Sequence, residues 1–164
     1  MLPANRFKLL PILEFKGMQM SRAAATQQDK YVAFRTAYQN ITHYREQKNF
    51  IAAYVVAFSL IEDRIRAMFV VRHRATDGKE LTDKQIAASF SSHVCLLSKE
   101  GDIQPDDAVC LLEEAKQRNK LMHTAMWNLN AFTEESVERV IKLTRVADRY
   151  RQTQKKKLGH LTSL

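Results

Sequence analysis

Arg118-Asn119-Lys120-Leu121-Met122-His123 sets an arginine, an amide and, four positions beyond the amide, a histidine on one short stretch. Arg is a permanently charged fork suited to a phosphate, and His moves a proton near neutral pH. Together they supply what cleavage of an RNA backbone needs: charge against the phosphate oxygens and a group that takes or gives a proton. Asn119 and His123 are four apart and so are neighbours on a helix surface, where the amide can orient the imidazole. Arg118 and His123 are five apart, about 140° around a helix. They can flank one cleft or meet their copies across a two-fold axis.

The segment must be held by a helix, and the apolar pattern supplies one. Ala108, Leu111, Leu112, Ala115 and Met122 form a stripe on which Arg118 and Asn119 also fall, and a charge on such a stripe needs a partner. Pro105, followed by Asp106 and Asp107, starts this helix: proline pre-sets φ and the acids meet the positive end of the dipole. Before it, a first helix is expected over 26–47, with Tyr31, Phe34, Tyr38 and Ile41 on one face. A second, over 49–74, is apolar almost all round in its first half and belongs at the centre. Ala75 to Lys79 breaks it. Thr82 and Gln85 then form a capping box opening a third helix, with Ile86, Phe90, Val94 and Leu97 on one face. Gly101 ends that pattern. After a break over 128–132, Thr133 caps a last helix reaching about Lys156, with Val137, Val140, Ile141, Thr144 and Ala147 as its stripe. The expectation is an all-α, four- to five-helix up-and-down bundle over 26–155, with a weakly ordered N-terminal extension over 1–25 and a basic C-terminal tail over 156–164. Met18 and Met20 are alternative starts within the extension.

Arg-Asn, three residues, then His resembles the RNxxxH motif of the HEPN superfamily (higher eukaryotes and prokaryotes nucleotide-binding), and a helical bundle with the motif on a late helix is similar to its architecture. With this composition, Arg-Asn with His at that spacing arises by chance roughly 0.02 times. Arg66 and His73 satisfy a looser spacing, but Ala67 follows that arginine. The resemblance implies a metal-independent endoribonuclease without cofactor. It acts on RNA as a homodimer whose two motifs line one cleft, with Arg118, Asn119 and His123 as the catalytic residues. It also implies toxin–antitoxin or antiviral defence as a setting, with an antitoxin or a nucleotidyltransferase as partner. Some toxin members carry a Tyr two residues after the His, where this chain has Ala125. The alternative is a non-catalytic HEPN-like module that binds nucleotide, RNA or another protein. A third reading is a helical interaction protein whose Arg118 is structural.

Glu62 stands on the most apolar helix. It either pairs with Arg66 one turn on, where the helix emerges into solvent, or holds Arg118 or His123 in place. HEPN-like proteins often carry polar residues on this helix near the motif, and Ser59 would join such a patch. His43, Tyr44, Arg45 and Lys48 carry no specific mark, His93 lies beside an apolar stripe, and Trp127 reads as core.

Composition narrows the class. Only 4 Gly and 3 Pro among 164 residues disfavour an all-β fold rich in hairpins, and a net charge of +8 favours polyanionic partners. Cys95 and Cys110, far apart, read as small buried residues of a reducing compartment, and no zinc spacing is present. The longest apolar run, residues 50–61, is too short to span a bilayer, and no signal-peptide core survives the charges and proline of residues 1–20. No membrane association and a cytoplasmic location are expected.

Overall fold

The computed structural model describes residues 27–77, 81–125 and 128–161, and what is described is all helix and loop. Helix α1 spans Gln27–Glu46, α2 Phe50–Asp77, α3 Asp83–Ile86, α4 Phe90–Lys99, α5 Pro105–Ala125 and α6 Glu134–Leu161, with a 3-10 turn at Leu129–Ala131 before α6. The all-α expectation therefore holds. The extension over 1–25 and Trp127 lie outside the described residues.

Boundaries follow local chemistry. Lys48 takes a left-handed backbone (φ 57) between α1 and α2, and the Asn49 side chain accepts from the Ala52 amide to cap α2. Thr82 and Gln85 form their capping box: the Thr82 amide donates to Gln85 Oε1 and the Gln85 amide to Thr82 Oγ1. The helix they open lasts one turn. The expected third helix splits, because Ser89 offers a second cap, its hydroxyl accepting from the Ser92 amide, and α4 starts there. Gly101 (φ 73) closes α4: its amide bonds the Ser98 carbonyl and the Asp102 amide bonds Leu97. This is the glycine-ended helix stop that a Cβ-bearing residue disfavours. Thr133 and Ser136 cap α6 reciprocally. α6 runs on to Leu161, past its expected end near Lys156, so the basic tail is helical that far.

Helix α2 is the core element. Tyr54, Ile61, Ile65 and Met68 are fully buried on it, against Val94 and Leu97 of α4, Leu111 of α5, and Val137, Val140 and Thr144 of α6. It packs closely along α1, α4 and α6. By contrast α5 packs on α4, α6 and the 3-10 turn, and it reaches α2 through long side chains, Glu114 to Tyr54 and Arg118 to Glu62. On α5 the expected stripe is buried at Ala108, Leu111 and Ala115, but Leu121 rather than Met122 completes it; Met122 is 42% exposed. Both cysteines are exposed, against expectation. Cys110 sits on the flank of α5 that faces an open groove toward α6, and Cys95 follows the buried Val94 by one position, a rotation of about 100° toward water. No helix among the described residues is long and apolar enough to cross a membrane.

Candidate functional site

Arg118 projects from the core side of α5 toward α2. Its Nη2 donates to Glu62 Oε1 at 2.9 Å, and the two side chains are 33% and 32% exposed. The guanidinium lies over the Phe58 ring, 4.7 Å from its centroid, a favourable cation–π placement. Phe58 in turn lies parallel to Tyr54, 6.4 Å between centroids, and Tyr54 meets Phe132 edge-on. Of the guanidinium's five N–H donors one is bonded, and Nε is buried without a hydrogen bond among the described residues. Of the two readings of Glu62, contact with Arg118 is the one observed; Arg66, a helical turn away, is exposed.

Asn119 and His123 are both exposed and share no hydrogen bond among the described residues. The expected amide-to-imidazole contact is therefore absent. Asn119 sits about 100° and His123 about 140° around α5 from Arg118, so within one chain the imidazole faces outward while the guanidinium faces α2. Ser59 is exposed on the same helix as Glu62 and makes no hydrogen bond among the described residues. Between Asn119 and His123 lies Met122, an apolar side chain facing water. Neither of two surface grooves includes the motif. One of about 450 Å³, between α5 and α6, is lined by Cys110, Glu114, Gln117, Arg139 and Lys142; the other, of about 640 Å³, lies beside the α1–α2 turn and the 3-10 turn.

A second polar chain escaped the sequence reading. Glu114 is 3% exposed. It accepts from the Tyr54 hydroxyl at 2.6 Å and from Arg139 Nε at 2.6 Å. Its signal was present in the spacing: Glu114 is four residues before Arg118, on the stripe itself. The two Arg–Glu pairs differ in kind. The partly hydrated Glu62–Arg118 pair contributes about 0–1 kcal/mol, whereas Glu114 cannot be left uncompensated. Elsewhere Asp148 is held by Tyr38 and Arg64, whose guanidinium covers the Phe34 ring. His93 is buried, stacked on Phe69. Among the described residues no three His, Cys, Asp or Glu side chains gather as metal ligands.

Burial first, and then hydrogen bonds to Glu114 and Asp148, push the Tyr54 and Tyr38 phenols well above their ordinary range. A raised folded-state pKa means stability that is complete below the unfolded value, about 10, and lost as pH climbs toward the folded value. Alkaline titration should therefore show part of the tyrosinate absorbance appearing only as helical circular dichroism disappears. All tyrosines ionising near their ordinary value with the helices intact would contradict the burial argument.

Against protein-family models, curated proteins and solved structures, the chain has no match.

Proposed function

We propose that the chain is an HEPN-like, metal-independent endoribonuclease whose site is completed by a second copy. The observation that carries this reading is the Arg118 guanidinium. It is positioned by a single hydrogen bond to Glu62 and by the Phe58 ring, yet most of its donors are unused and the pair adds little to stability. Asn119 and His123 stand exposed on the same helix, beside the exposed Met122, an apolar contact suited to a second copy.

In the reaction, the RNA 2′-oxygen attacks phosphorus and its proton passes to one imidazole. The bond to the 5′-oxygen breaks and that oxygen takes a proton from the imidazole of the other copy, one His123 from each chain serving as base and acid. Arg118 stabilises the charge growing on the phosphorane oxygens. The products are a 2′,3′-cyclic phosphate and a 5′-hydroxyl. A defence or toxin–antitoxin setting in the cytoplasm, with an antitoxin or a nucleotidyltransferase as partner, accords with such an activity.

One observation favours a second reading. Within a single chain Arg118 is engaged by Glu62 and His123 is turned away from it, the arrangement expected of a helical interaction module whose Arg118 is structural and which does not cleave RNA. Purified protein incubated with total RNA in chelator separates the two. The proposal expects fragments ending in cyclic phosphate, and intact RNA at every protein concentration would reject it in favour of the module.

A further inference from the structure

Most arginines facing neighbouring helices are tied to acids, Arg45 to Glu134 and Glu138, Arg64 to Asp148, Arg118 to Glu62 and Arg139 to Glu114, while Arg151 bonds the Ala67 carbonyl and Gln154. The outward face of α6 is different. Lys142, Arg145, Arg149 and Lys156 are exposed and make no ion pair among the described residues. Spaced by three, four and seven residues, they fall within about 100° of one another around the helix, opposite buried Val140, Thr144 and Ala147. The stripe runs about 21 Å. Arg139, fixed at Nε by Glu114, adjoins its N-terminal end.

From Lys142 to Lys156 this face carries no outward acid; Glu138, one turn before Lys142 at the stripe's helical angle, and Glu135 border its N-terminal end. Glu138 is occupied by Arg45, and Asp148 turns inward to Tyr38 and Arg64. Exposed Glu135 precedes the stripe by two turns, and Glu113 lines the groove beside Lys142 without bonding it. Chance placement would interleave acids, as on α5. Uncompensated like charges on one rigid rod repel one another, so the array is relieved by a polyanion.

We propose that the outer face of α6 is an RNA-backbone-binding surface, separate from the motif on α5. The choice of RNA rests on the reading of the function above. Phosphate rather than base is the ligand, since the intervening exposed residues, Gln152 and Thr153, are polar and no exposed aromatic stands on the stripe. An anionic membrane fits less well, because a surface-lying helix inserts apolar side chains. The large apolar residues exposed among the described ones, Val32, Val55, Leu96, Val109 and Met122, all lie on other helices. Stripe and motif are on different flanks: α6 meets α5 at Glu114 and Gln117, on the side away from His123.

The test is binding of a fluorescein-labelled RNA hairpin to the full chain in chelator across a salt series. The variant carries Lys142→Gln, Arg145→Gln, Arg149→Gln and Lys156→Gln, with circular dichroism and thermal midpoint to check folding. Affinity at low salt should fall on the order of 100-fold, and the slope of log affinity against log salt should become shallower by about 3, as expected for four lost phosphate contacts. A control removing the same charge elsewhere, Arg35→Gln, Arg74→Gln, Lys84→Gln and Lys99→Gln, should lose far less. Equal loss in both variants, or an unchanged slope in the first, overturns the proposal. So does a first variant that keeps RNA affinity while losing phosphatidylserine vesicles. Wild-type cleavage in chelator, read beside binding, separates the two readings: no cleavage with stripe-dependent binding rejects the nuclease alone, and cleavage that His123→Ala abolishes, with stripe-independent binding, rejects the surface alone.

Discussion

On the endoribonuclease reading proposed above, His123→Ala is expected to lower RNA cleavage in chelator by roughly 10²- to 10⁴-fold, the range supplied by one positioned acid–base group. Because His123 is exposed and bonded to nothing among the described residues, its removal should change stability by no more than about 0.5 kcal/mol. Arg118→Lys is the companion variant. Lysine keeps the charge but loses the planar fork, so cleavage should fall on the order of 10²-fold. Stability should change by about 1 kcal/mol at most, since the Glu62 pair is partly hydrated. End-labelled RNA with denaturing gels gives the rates, and urea unfolding gives the stabilities. Wild-type rates in both variants would remove the motif from the chemistry. A loss of stability of several kcal/mol in Arg118→Lys would show instead that the guanidinium is a structural strut.

The largest effect on folding should come from Arg139→Ala. It leaves the Glu114 carboxylate, 3% exposed in the intact chain, with only the Tyr54 hydroxyl for a partner. An uncompensated buried charge of this kind costs about 3 kcal/mol or more. Glu114→Gln should be milder, about 1 kcal/mol, because the amide oxygen still accepts from Tyr54 and the unpaired Arg139 is hydrated. Urea denaturation of the two variants checks the order. Equal destabilisation would mean that water already reaches Glu114.

Local signals in the sequence carried the helical architecture. The all-round apolar first half of α2 marked the central element, Pro105 and Thr133 marked their helix starts, and the Thr82–Gln85 box is present as read. What escaped depends on which neighbour a face meets. The Thr82 box and the Ser89 cap compete over a few residues, and periodicity cannot say that the second one restarts the chain. Cys95 and Cys110 are apolar enough to be buried, but each stands where no helix comes to cover it. At the candidate site the sequence singled out Glu62 and Arg118, and they touch. It did not reveal that Asn119 would stay apart from His123, nor that Glu114 would be the deeply buried carboxylate. A spacing of four brings Cα atoms into line without deciding where polar termini end up, and Glu114 is explained only by Tyr54 and Arg139, far away in the chain.

That α5 is bridged to α2 by side chains has a mechanical consequence. Interlocked apolar faces resist separation until both come apart together, whereas hydrogen-bonded bridges can exchange for water one at a time. The seam between α5 and α2 is thus looser than that between α2 and α6, and brief local opening should begin at its partly hydrated Arg118–Glu62 end rather than at the buried Glu114 bridge. The end of α5 bearing Arg118 and His123 can consequently adjust more cheaply than the end anchored by Leu111 and Glu114.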